Sequence, residues 1–244
     1  MTSVAYLPIN EPKPVAPDLW IVDSGPMHLA GMPIPLRMTV IRLGNGELVL
    51  HSPTQFSFEL RARLETIGRI GHLVAPNTVH WSFMKEWQEH YPGVVSWGAP
   101  TLKERPAVQK ADLKLDRVLE DGAPGEWNGE VEVVVVRGGA IAEAALFHRP
   151  SHSLVLTDLV VNVEPEKLPP LMKIGAKLVG SAAPDGKAPV YARAAFKAGG
   201  AAASAAAARL VALDPERVIF AHGRWFEQNG RQQLQQSLRW LLPA

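Results

Sequence analysis

The sequence predicts an α/β protein in which helices cover a sheet, and three observations predict it. Short apolar runs alternate with stretches of helical spacing through the first hundred residues, with brief turns between them. Three apolar runs then follow one another between residues 130 and 162, which suits antiparallel pairing. The 244 residues are 47% hydrophobic, enough to bury a sizeable core in one domain spanning 1–244.

Residues 1–18 form a Pro-rich leader, and "LWIVDSG" (19–25) reads as the first strand. "LRMTVIRLGNGELVLHSP" (36–53) is a hairpin turned on Gly44, Asn45 and Gly46, residues that tolerate positive φ. Residues 56–68 have helical spacing with Ser57 as the N-cap, and 70–77 form a short buried strand. Residues 78–93 read as a helix capped by Thr78 and stopped by Pro92-Gly93, followed by a strand at 93–100. The runs at 130–139, 143–149 and 153–162 are strands. Residues 163–196 show no regular period and contain the breakers Pro165, Pro169 and Pro170, so a loop-rich insertion is expected there, as a lid or a dimer contact. The Ala-dense stretch 198–215 reads as a helix with a small-residue packing face, 217–223 as a strand, and 230–243 as an amphipathic helix.

Composition removes several function classes. With 25 basic and 24 acidic residues there is no electrostatic case for nucleic acid or an anionic membrane. No cysteine is present, so a metal would sit on His, Asp, Glu or Asn. Gly138-Gly139 lacks the spacing of a dinucleotide loop, so no nucleotide cofactor is expected. Neither a signal peptide nor a run of about twenty apolar residues is visible, and a cytoplasmic protein is expected.

Four polar residues stand where strands end or turns begin, the places where functional groups gather in such folds: His80, Glu143, Asp158 and His222. Asp158 interrupts the run "LVLTDLVVN", where a carboxylate must be paired, hydrogen-bonded or metal-bound. It is either a ligand or a turn-capping residue that neutralises Arg149. His222 ends "RVIFAH" as a ligand or as a core histidine bonded to a backbone carbonyl. His80 is a ligand, a base or an ordinary first-turn helix residue. His148 and His152 flank Pro150 and are expected at a solvated hairpin tip. Asp23-Ser24-Gly25 and His51-Ser52-Pro53 read as turn chemistry.

Taken in order, the hairpin "TVIRLGNGELVLHSP", the strand-turn-helix "HLVAPNTVHWSF", the hairpin "VVVVRGGAIAEAALFHRPSHSLVLTDLVVN" and the late "VIFAHG" resemble the metallo-β-lactamase superfamily from about residue 19 to the C-terminus. More narrowly, "SP", "APNTVH", "H-x-x-S-x-S-L-x-x-T-D" and "AHG" resemble the DUF4336 branch of that fold. The resemblance implies an αββα sandwich of two mixed sheets covered by helices. It also implies a ligand motif H-x-H-x-D-H, which aligns here on Ala75, Asn77, Val79 and His80, and a later ligand histidine near Gly139 or Ala140. His80, Asp158 and His222 remain, with Asn77 a weak substitute and Glu143 a fourth ligand or general base. The implied cofactor is one Zn or Fe ion, and the implied partner a small-molecule ester, lactone or phosphoester, with a homodimer possible. Two rival readings are a non-catalytic member that holds no metal and an oxidoreductase using iron at the same three residues.

Overall fold

The computed structural model describes residues 4–29, 32–184 and 186–243. Strand β1 (Lys13–Ala16) lies at the edge of a seven-stranded sheet, paired antiparallel with β2 (Leu19–Leu29). The Pro-rich leader therefore contributes a strand. Pro14 is tolerated because an edge strand leaves one side of its ladder without a partner. Next come β3 (Met32–Arg42), β4 (Glu47–His51), α1 (Phe58–Glu65), β5 (Arg69–Ala75), α2 (Met84–His90) and β6 (Val95–Gly98). A short helix α3 (Pro106–Lys110) precedes the edge strand β7 (Arg117–Val118). The sheet runs β1 to β7 in order and changes from antiparallel to parallel pairing after β4.

The second sheet has four strands, in the order β11-β10-β9-β8. Its members are β8 (Val131–Arg137), β9 (Ala142–His148), β10 (Ser153–Val155) and β11 (Arg217–Ile219). The first three are antiparallel, and β11 is parallel to β10. Between β10 and β11 lie α4 (Pro170–Val179), α5 (Val190–Lys197) and α6 (Gly200–Ala212), and α7 (Gly230–Leu238) follows β11. Residues 163–196 thus hold two helices where a loop was expected. Pro170 occupies the first position of α4 and Pro189 the N-cap of α5, so these prolines open helices instead of breaking them.

Period-two alternation explains the layering. Along β8, Val131, Val133 and Val135 face the other sheet, while Val134 and Val136 face the helices. Ile41, Val49, Val74, Trp97, Leu146 and Val155 fill the layer between the sheets. Leu60, Leu64, Met84 and Trp87 from α1 and α2 cover the outer face of the larger sheet. Phe196, Ala203, Ala207, Leu210, Leu234 and Leu238 from α5, α6 and α7 cover the smaller one. The result is the expected αββα sandwich, and burial on both faces is why its strands read as nearly continuous apolar runs. Among the described residues no helix is long and apolar enough to cross a membrane.

Candidate metal centre

Three connections meet at one rim of the sandwich: the turn after β5, the segment after β10 and the segment after β11. The turn after β5 is built by Asn77. Its Oδ1 accepts the amides of Val79 and His80, both at 2.9 Å. This Asx turn takes the place of the helix expected from Thr78 onward, so α2 starts only at Met84 and His80 sits in a turn before it. Pro76 O accepts the amide of Ala144 at 2.8 Å and Asn77 bridges Glu143, which ties the two sheets together at the site.

Asp158 follows β10, which is three residues long because the chain then leaves the ladder. The turn is organised by Glu143 on β9, whose side chain is fully buried. Its Oε1 accepts the Thr157 amide at 2.7 Å, and its Oε2 accepts those of Asp158 at 2.8 Å and Leu159 at 3.1 Å. Burial and the nearby Asp158 charge push the Glu143 carboxyl up, against the pull of these amides. Its two oxygens face the backbone of the turn, and Glu143 stands outside the His80, Asp158 and His222 cluster. Asn77 Nδ2 donates to Asp158 Oδ2 at 2.7 Å and to Thr157 Oγ1 at 2.9 Å, so Asn77 serves as a hub between the two segments.

His222 follows β11. Its Nδ1 lies 2.8 Å from Pro35 O on β3. A carbonyl only accepts, so Nδ1 carries a proton, and Nε2 is the ring atom left to face the cluster. The backbone around it is held by Arg37, which is buried and donates from Nη1 to Gly223 O at 2.8 Å and to Phe220 O at 3.1 Å. Arg37 is paired in turn with buried Asp23, Nη2 to Oδ1, at 2.8 Å. Asp23 and Ser24 are therefore strand residues at a bulge of β2, not a turn. Gly223 has a φ of 95°, and a Cβ there would collide with Asn162 O, so only glycine fits beside His222.

The side chains converge. His80 Nε2 is 3.4 Å from Asp158 Oδ2, His222 Nε2 is 3.4 Å from Asp158 Oδ1, and the two Nε2 atoms are 3.2 Å apart. One ligand atom from each residue lies within 4.8 Å of the others. The imidazoles are nearly covered, while the Asp158 carboxylate, 26% exposed, opens to solvent. Burial works against ionisation of Asp158, yet the two histidines hold its carboxyl well below the usual carboxylate range. His80 Nδ1 is occupied by Ser52 Oγ at 2.7 Å. Both rings thus turn Nε2 inward, and the donor set of two nitrogens and a carboxylate fits a divalent cation.

The remaining expectations sort plainly. Asp158 does not neutralise Arg149, which pairs with Glu132 at 2.9 Å. His148 is buried, with Nδ1 bonded to Ser151 Oγ at 2.7 Å, because β9 continues through His148 with both faces covered. His152 is exposed, as expected. Ala75 lies in the core and Val79 is exposed. Ser52 and Arg37 were not anticipated. Arg37 left a signal, a cation within the apolar stretch "LRMTVI", whereas Ser52 was read as turn chemistry and as part of the "SP" motif, with nothing to tie it to His80.

Residues 18–200 match the family DUF4336, a domain of unknown function. No curated protein matches the chain. A metallo-β-lactamase from Hirschia baltica superposes with a TM-score of 0.63 at 16% identity, covering 96% of this chain and 98% of that one. DIM-1 metallo-β-lactamase exposed to ceftazidime gives 0.65 at 12% identity, covering 95% of each chain. FIM-1 from Pseudomonas aeruginosa, in its mono-zinc form, gives 0.63 at 13%, covering 94% and 93%. At such identities the likeness is one of fold.

Proposed function

The chain belongs to the DUF4336 family and has the metallo-β-lactamase fold, and from that premise we propose that it is a metal-dependent, hydrolase-like protein whose single ion is held by His80, Asp158 and His222. The convergence of two imidazole Nε2 atoms, 3.2 Å apart, on one carboxylate carries this reading. When both Nε2 atoms are deprotonated, lone pairs so placed repel one another, and a divalent cation among them removes that repulsion. Two histidines and a carboxylate suit Zn²⁺ and also non-haem Fe²⁺. When bound, such an ion acidifies a water to a pKa of roughly 7 and polarises a carbonyl or phosphoryl oxygen, chemistry that suits a small ester, lactone or phosphoester.

The chain's own part is orientation. Pro35 O fixes the His222 ring, Asn77 holds Asp158 Oδ2 and leaves Oδ1 toward His222, and the exposed edge of Asp158 is the side a substrate reaches. Both oxygens of Glu143 already accept amide protons, so we assign it the bracing of the 157–159 turn in place of the base or fourth-ligand role expected from its position. That same commitment favours a second reading, a non-catalytic binding protein, because among the described residues the cluster holds no carboxylate besides Asp158. The test is a panel of activated esters, lactones and phosphoesters offered to zinc-loaded and iron-loaded protein. Turnover that Asp158→Asn abolishes supports hydrolysis, and stoichiometric metal without any turnover selects the binding protein.

A further inference from the structure

Ser52 follows β4 with a φ of 54°, in the left-handed region that glycine and asparagine enter more readily than serine. It is 6% exposed, and its amide donates to Val74 O at 2.9 Å, so the backbone there is fixed from the β5 side. A turn in this conformation would be made more easily by glycine. What serine adds is a hydroxyl, and that hydroxyl lies 2.7 Å from His80 Nδ1.

We propose that Ser52 is a positioning residue for His80, held in an unfavourable backbone conformation so that its hydroxyl fixes the ring with Nε2 toward Asp158 and His222. The two histidines are then oriented by different devices: a carbonyl for His222 and a hydroxyl for His80. The hydrogen bonds from the His80 and Val79 amides to Asn77 fix the main chain of the turn but not the imidazole. Ser52 supplies the missing constraint. A hydroxyl both donates and accepts, so it can accept a hydrogen bond from Nδ1–H, keeping the proton on Nδ1 and leaving Nε2 bare for a cation. In its consequence for metal affinity, this inference rests on the metal-centre reading above.

The test compares wild type with Ser52→Gly and Ser52→Thr by imidazole ¹⁵N NMR of metal-free protein, Co²⁺ titration and thermal unfolding. Glycine relieves the backbone and removes the hydroxyl, whereas threonine keeps the hydroxyl in a worse backbone setting. The expected pattern crosses. Ser52→Gly unfolds at a temperature no lower than wild type, yet shows exchange-broadened His80 ring signals and binds Co²⁺ about tenfold or more weakly. Ser52→Thr unfolds at a lower temperature with His80 signals and Co²⁺ affinity close to wild type. Wild-type His80 signals and affinity in Ser52→Gly would overturn the inference, as would affinity that only follows stability in both variants. Wild type that takes up no Co²⁺ would overturn the metal reading instead, and the His80 signals would still decide the role of Ser52.

Discussion

Removing the Glu143 carboxylate separates a brace from a base. In Glu143→Ala three buried amides, those of Thr157, Asp158 and Leu159, lose their acceptor. Each donor left without a partner costs about 1–3 kcal/mol, which bounds the loss at about 9 kcal/mol. The substitution also removes a buried carboxyl beside Asp158 and lets water reach the turn, so a net loss of roughly 3–5 kcal/mol is expected, as for one partner deleted from a buried polar pair. At about 2–4 °C per kcal/mol for a chain of this size, the unfolding midpoint falls by roughly 6–20 °C. Glu143→Gln keeps one acceptor oxygen and turns an amide toward donors, so it falls by less. Thermal unfolding followed by circular dichroism, with Co²⁺ affinity measured on the same samples, checks this. Affinity should drop in step with the loss of the turn that carries Asp158. A Glu143→Gln protein with wild-type midpoint and affinity but no turnover would refute the bracing role and make Glu143 the base.

Arg37→Met leaves buried Asp23 paired with Lys13 alone and frees Phe220 O and Gly223 O; urea unfolding should show a loss of about 1–3 kcal/mol for each carbonyl left without its donor, with weaker metal binding because the His222 segment loses its anchor. Gly223→Ala forces a side chain into the left-handed region and against Asn162 O, so the expected outcome is a lower unfolding midpoint and lost Co²⁺ binding, read by calorimetry and visible absorption. Stability should also fall with acid through buried histidines. Burial lowers the His148 pKa, with Asp18 and Glu130 only partly opposing it, while the unfolded chain keeps the ordinary value near 6.5. Below about pH 6.5 the unfolded state therefore binds more protons than the folded one. The stabilisation is complete above that value and is lost as pH falls toward the lowered folded pKa. Urea unfolding at pH 7 and pH 5 should show a smaller difference for His148→Gln than for wild type, and an equal difference would contradict the assignment.

What could be read in advance followed the physics of burial. The β8 valines and the run 70–75 are apolar because both faces of each strand are covered, so the sandwich was legible. Asp158 was legible for the converse reason, as a charge where apolar neighbours surround it. His222 met its backbone-carbonyl reading through Nδ1, while its Nε2 faces Asp158 and His80. Position in the ladder was harder to read. His148 is buried because β9 runs on past the point where a hairpin tip was expected, and Glu143 opens a strand that aims its carboxylate at the 157–159 amides. The helices at 170–179 and 190–197 escaped notice because their prolines lie at helix starts, where a missing amide donor is harmless. Ser52 escaped because its partner is 28 residues away, and its backbone conformation leaves no mark in composition.

Metal content measured on tag-free protein, beside an Asp158→Ala, His222→Ala double variant, tests the central claim most directly. The account predicts close to one zinc or iron per wild-type chain, retained through dialysis, and none in the variant. Wild-type protein that stays free of metal after loading and dialysis, or a variant that retains as much metal as wild type, would contradict it.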